Sequence, residues 1–144
     1  MAGRHPSAVY GLHHVSIRVR DMDRSLALYR DVLGLDVRTA FDLHGNRFAM
    51  LEAGTDRYIE LVETGADPRP GTENDVFWHL ALRSRHLESS VEAVRKFGCE
   101  ITRPITPLDL VNRVGDRPFP VRVAFFRGPD GEDVELIEDQ TGQT

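Results

Sequence analysis

Leu12-His13-His14-Val15-Ser16-Ile17-Arg18-Val19 returns 65 residues later as Phe77-Trp78-His79-Leu80-Ala81-Leu82-Arg83-Ser84. Each half then closes on a matching pentapeptide, Ile59-Glu60-Leu61-Val62-Glu63 in the first and Val134-Glu135-Leu136-Ile137-Glu138 in the second. The offset of 65 also pairs Arg18 with Arg83, Arg20 with Arg85, Ser25 with Ser90, Arg30 with Arg95 and Arg38 with Arg103. Two copies at this period are too few and too long for a solenoid, so the pattern reads as one supersecondary module duplicated.

Working outward, the quoted segment alternates. His14, Ser16, Arg18 and Arg20 point one way and Val15, Ile17 and Val19 the other, which is a strand with one polar and one apolar face. A helix follows, with Met22, Leu26, Tyr29 and Leu33 at helical spacing, Asp21 or Asp23 as N-cap and Gly34 as C-terminal stop. In the second copy Leu87, Val91 and Val94 form the stripe and Gly98 ends it. Shorter strands are expected at 36–43, 47–53 and 57–62, then at 100–104, 121–127 and 133–137, the last preceded by the turn Gly128-Pro129-Asp130-Gly131.

Each module is thus βαβββ, the first over 12–64 and the second over 76–139, together one α+β domain of about 12–139. The Pro- and Gly-containing linker 64–75 excludes regular structure between them. A second stretch, 104–120, has no counterpart of its length in the first copy and reads as an irregular excursion or lid. The apolar strand and helix faces should pack together, leaving the polar strand faces to look away from the helices.

Bulk properties narrow the function. With 144 residues, 40% hydrophobic and 28% charged, the chain has the composition of a packed globular domain. Its net charge of −5 with dispersed arginines gives no basic stripe for nucleic acid. One cysteine, Cys99, leaves no intrachain disulfide. No apolar run has the length of a signal peptide or a membrane span, so a cytoplasmic location without membrane association is expected.

The chemistry resides in four residues. His14 and His79 occupy equivalent places on the polar strand faces, and Glu60 and Glu135 each sit between apolar neighbours on the face opposite the helices. Two carboxylates brought together on a concave sheet repel unless a cation relieves them. Two imidazoles and two carboxylates without thiolate suit a five- or six-coordinate divalent ion: Ni, Co, Fe, Mn or Zn. A structural zinc site would more often use cysteines and close all its positions.

Through 12–21, 25–35, 77–82 and 128–138 the chain resembles the vicinal oxygen chelate superfamily, which includes glyoxalase I, methylmalonyl-CoA epimerases, extradiol dioxygenases, fosfomycin-resistance proteins and bleomycin-binding proteins. The resemblance covers about 12–138 and implies paired βαβββ modules forming a cup-shaped mixed sheet around a metal. The glyoxalase I ligand order of His or Gln, Glu, His, Glu falls on His14, Glu60, His79 and Glu135. Glu60 weighs against the dioxygenase and fosfomycin branches, which lack that ligand, and against the epimerases, which carry Gln there.

Arg18 matches the arginine that glyoxalase I uses on the glutathione carboxylate. Thr64 stands where that family has an Asn, which departs from a glutathione site. The implied activity is a metal-dependent lyase or isomerase that moves a proton between adjacent carbons of a small substrate with oxygens on neighbouring carbons. Glu135, and with it Glu60, would carry the proton, Arg18 would bind substrate, and the assembly would be a homodimer. Alternatives are a methylmalonyl-CoA epimerase-like enzyme, an extradiol-type dioxygenase, or a non-catalytic small-molecule-binding protein.

Other residues read as structural. His13 points away from His14 and should pack among apolar neighbours, and His5 belongs to the N-terminal tail. His44 fits a hairpin turn, and His86 lies near a helix start. Glu63 and Glu138 fall on the opposite face or at strand ends, Cys99 is a core filler, and Phe77 and Trp78 are apolar anchors.

Overall fold

The computed structural model describes residues 8–69 and 75–141. His5 and residues 70–74 of the linker lie outside them. The first module runs β1 (His14–Val19), α1 (Met22–Leu26, continuing as a wider π-turn through Ala27–Val32), β2 (Val37–Leu43), β3 (Asn46–Glu52) and β4 (Tyr58–Glu63). The second runs β5 (Leu80–Arg83), α2 (Leu87–Phe97), β6 (Glu100–Asn112), β7 (Arg117–Arg127) and β8 (Asp133–Asp139). Both have the expected βαβββ order.

Each module makes a four-stranded mixed sheet, ordered β1-β4-β3-β2 and β5-β8-β7-β6. The first strand of each pairs in parallel with the last, and the remaining pairs are antiparallel. The duplication extends to register: Ser16 lies opposite Glu60 on β1–β4, and Ala81 lies opposite Glu135 on β5–β8.

One core serves both modules. Val19, Ile59 and Leu61 of the first sheet join Met22, Leu28 and Tyr29 of α1, Leu87 and Val94 of α2, and Phe126, Val134 and Leu136 of the second sheet in one buried cluster. Each such aliphatic or aromatic side chain contributes about 1.5–3 kcal/mol by leaving water. Asp21 caps α1 by accepting from the Arg24 N–H at 3.2 Å, and Gly34 and Gly98 end the helices at φ of 78° and 111°.

The repeated second glutamates have a structural task. Glu63 accepts a hydrogen bond from the Met22 N–H, and Glu138 accepts one from the Leu87 N–H at 3.4 Å. Each closing strand therefore binds the N-terminus of its own module's helix, where a carboxylate satisfies an orphan donor and meets the positive end of the helix dipole.

The expectation of an irregular stretch at 104–120 is corrected. β6 and β7 continue as a two-stranded arm in which Leu108 pairs with Val121, Leu110 with Phe119 and Asn112 with Arg117. Pro104, Pro107, Pro118 and Pro120 conceal it in the sequence, because proline reads as a strand breaker. Here they are tolerated because β6 is an edge strand and β8 stops pairing with β7 at Val121. The arm also explains why the repeat offset grows from 65 at the histidines to 75 at the glutamates.

Polar contacts also cross between modules. The Tyr29 hydroxyl donates to Glu132 Oε2 at 3.3 Å, and the Arg20 N–H donates to Asp130 Oδ1 at 2.9 Å. A Cβ on Gly128 would run into the Glu132 side chain, which would have to shift. Burial raises the Glu132 carboxyl above its usual range, and burial with the neighbouring Glu132 charge raises the Tyr29 hydroxyl well above its own.

At pH values just above the ordinary glutamate value, the folded chain therefore holds a proton on Glu132 that the unfolded chain releases. Between the ordinary glutamate value and the raised one, stability falls as pH rises. The stability of Glu132→Gln relative to the unsubstituted protein should increase as pH is taken from about 4 to about 7. Urea unfolding at several pH values checks this, and a constant difference would contradict it.

Candidate metal centre

Strand alternation builds the site. Ile59 and Leu61 enter the core, so Glu60 between them faces the other way, beside Ser16 and His14 of the neighbouring strand. Val134 and Leu136 do the same for Glu135, beside His79, which lies immediately before β5.

The two half-sites share a plan and differ in detail. In the first, His14 Nε2 stands 3.7 Å from Glu60 Oε1, and that oxygen accepts a hydrogen bond from the Ser16 hydroxyl at 3.0 Å. In the second, His79 Nε2 stands 2.8 Å from Glu135 Oε2, within hydrogen-bond distance. The carboxylate side chains are only 12% and 13% exposed, and neither meets a Lys or Arg among the described residues.

An imidazole nitrogen and a cation-deprived carboxylate aimed at each other are a donor set that a divalent ion fits. His79 Nδ1 adds an orphaned buried atom: it has no hydrogen-bond partner. Its ring is bracketed edge-on by Trp78 at 4.5 Å and Phe125 at 5.2 Å between centroids.

The structure brings His14 to Glu60 and His79 to Glu135. It does not gather the four within one chain: among the described residues no three His, Cys, Asp or Glu side chains cluster as a metal site. The shared core lies on the opposite face from both pairs, so packing the modules together does not make the pairs meet.

Arg18 is exposed and lines a cleft of about 1470 Å³ with Ser16, Glu60 and Thr64, closed from the second module by Trp78 and Leu80. Arg18 and Thr64 thus share a wall with Glu60.

Sequence reasoning missed two contributors. Ser16 lies on the polar face between His14 and Arg18, and its counterpart Ala81 has no hydroxyl, which was the available signal. His13 was expected to pack among apolar neighbours; instead it precedes the first residue of β1, is exposed, and lies edge-on to His14 with ring centroids 5.1 Å apart. The strand's alternation does not extend to His13, so nothing directs its side chain into the core. His44 occupies the β2–β3 turn at φ 52°, and Cys99 packs against the core, its thiol raised by burial.

The family model described as "Glyoxalase/Bleomycin resistance protein/Dioxygenase superfamily" matches residues 11–136. A probable lactoylglutathione lyase of Synechocystis is 28% identical over 131 residues, covering 88% of this chain and 94% of that protein. The lactoylglutathione lyase of Haemophilus influenzae is 26% identical over 132 residues, covering 89% and 92%. The fold matches a glyoxylase/bleomycin resistance protein/dioxygenase domain from Frankia with a TM-score of 0.72 at 23% identity, covering 94% of this chain and 96% of that one.

The asymmetry of the half-sites sets an expectation for metal-free protein. His79→Leu removes the 2.8 Å imidazole contact from a part-buried carboxylate and should cost roughly 1.5–3 kcal/mol. His14→Leu should cost less than about 1 kcal/mol, because Glu60 keeps Ser16 and His14 is half-exposed. Urea unfolding in the presence of chelator measures both, and equal losses would contradict the asymmetry.

Proposed function

The chain belongs to the glyoxalase/bleomycin resistance protein/dioxygenase superfamily, and from that premise we propose that it is a metal-dependent lyase or isomerase of the lactoylglutathione lyase type. It would move a proton between adjacent carbons of a small substrate with oxygens on neighbouring carbons. The observation that carries this reading is the pair of His–Glu half-sites in identical register, each with a part-buried carboxylate that has no Lys or Arg partner among the described residues. The relatives named lactoylglutathione lyase support it.

His14, Glu60, His79 and Glu135 would hold one divalent ion, one of Ni, Zn, Co, Fe or Mn. Such an ion, when bound, supplies Lewis-acid stabilisation of negative charge on a substrate oxygen. Glu135 is the proton carrier. It is the less exposed partner of a part-buried pair, and His79 Nε2 at 2.8 Å holds its Oε2 in place, which supports this role. Glu60, held by Ser16, is the second carboxylate available to receive or return the proton. Arg18, on the same wall as Glu60, would bind an anionic group of the substrate. Thr64 offers a hydroxyl rather than an amide there, so the thiol of a hemithioacetal substrate need not be glutathione.

Since the half-sites do not gather in one chain, the proposal includes a two-fold homodimer in which the first half-site of one chain meets the second of its partner. Two features favour it. β1 and β5 are open sheet edges, and each is preceded by exposed apolar residues: Val9, Tyr10 and Leu12 before β1, and Val76, Phe77 and Trp78 before β5.

The test uses stripped protein reloaded with each ion and offered methylglyoxal with a panel of thiols, in parallel with methylmalonyl-CoA. Thioester formation is the expected result, and turnover of the acyl-CoA alone would replace this reading with the epimerase. Glu135→Gln should keep its metal and lose turnover roughly 10²–10⁴-fold; undiminished turnover would remove Glu135 from the role. Glu60→Gln and Glu135→Gln subunits, each inactive, should regain about a quarter of normal activity when mixed and re-associated, because half the dimers then carry one intact site. No recovery would place each site within a single chain.

A further inference from the structure

We propose that His13 is a positioning residue for the first half-site: its Nδ1 accepts a hydrogen bond from the Nδ1–H of His14 and so fixes the tautomer in which His14 Nε2 is free to bind a cation. This rests on the metal reading above and assigns a part to a residue outside the four ligands.

The two Nδ1 atoms are 2.9 Å apart, so one of them carries the shared proton. Geometry on the far side of His14 says which. Were His14 protonated on Nε2, that N–H would seek Glu60, yet Oε1 is 3.7 Å away, beyond hydrogen-bond distance. The Nδ1–H form leaves the Nε2 lone pair directed toward the Glu60 side, where a cation would sit. An outer acceptor on the second ring nitrogen is how metal-binding histidines are held in orientation and tautomer.

The duplication supplies an internal control. At the 65-residue offset, His13 becomes Trp78, whose indole N–H donates but cannot accept. In that half-site His79 Nδ1 is buried without a partner, and Nε2 instead makes the short contact to Glu135. The copy with an acceptor at this position has its imidazole nitrogen 3.7 Å from the carboxylate; the copy without one has it at 2.8 Å.

His13 is held in place for this task although its side chain is exposed. Its carbonyl accepts from the Tyr58 N–H at 2.9 Å, and its ring lies against Tyr58 with centroids 5.4 Å apart. Tyr58 is itself the register partner of His14, so the same strand pair fixes both imidazoles.

Two measurements on the full chain test the proposal. In metal-free, ¹⁵N-labelled protein with neutral imidazoles, two-bond ¹H–¹⁵N correlations should report His14 as the Nδ1–H tautomer. In His13→Phe, which keeps a ring but no acceptor, His14 should shift toward Nε2–H; in His13→Asn, whose side-chain carbonyl accepts, Nδ1–H should return. Zn(II) affinity by chelator competition should weaken about tenfold in His13→Phe and recover in His13→Asn. A wild-type His14 found as Nε2–H, or a His13→Phe protein with unchanged tautomer and affinity, would overturn the proposal. Failure of the wild type to bind Zn(II), Ni(II) or Co(II) would overturn the metal reading and the positioning role with it, even with the tautomer as expected.

Discussion

Two short strands, β4 and β8, couple the core of this protein to its two His–Glu pairs. In each, apolar side chains on either side of a glutamate enter the common core, and the two-residue period of a strand then leaves that glutamate no choice but the opposite face. Burying Ile59, Leu61, Val134 and Leu136 is what keeps Glu60 and Glu135 beside their histidines. A one-residue slip in either strand would turn the carboxylate into the core and the aliphatic side chains out of it, a change that hydrophobic burial strongly opposes.

The same strands use a second glutamate for a different purpose. Three residues on, alternation reverses the face, and Glu63 and Glu138 reach the helix side to bind the first turn of α1 and α2. In the second module this contact grows into a small network, since Arg122 bridges Glu138 and Glu88. Arg122 holds the Glu88 carboxyl down to about 2. Helix, closing strand and site are thus one mechanical unit in each copy, and the Tyr29–Glu132 and Arg20–Asp130 contacts link the two units through their helix sides.

Divergence between the copies is concentrated at the site and at one hairpin. Ser16 became or replaced Ala81, His13 corresponds to Trp78, and the tight His44–Gly45 turn corresponds to the long β6–β7 arm. The core positions changed less in character, because packing accepts only apolar side chains of fitting volume. The half-sites consequently share register while differing in spacing: one imidazole nitrogen stands 2.8 Å from its carboxylate and the other 3.7 Å.

What the sequence determined by itself follows from periodicity. Alternation in 12–20 and 57–63, helical spacing from Met22 to Leu33, and the repeat that copies both are local signals, sufficient for the βαβββ order and for the face on which His14, Glu60, His79 and Glu135 lie. Tertiary structure alone decided the rest. The arm was hidden because edge position, which makes its prolines harmless, is a property of the sheet and not of the segment. His13 was misread because alternation was extended one residue beyond the strand that enforces it. The grouping of the four site residues as two pairs depends on how the modules share a core, and side-chain contacts 46 and 56 residues apart in the chain are set by packing that no local pattern encodes.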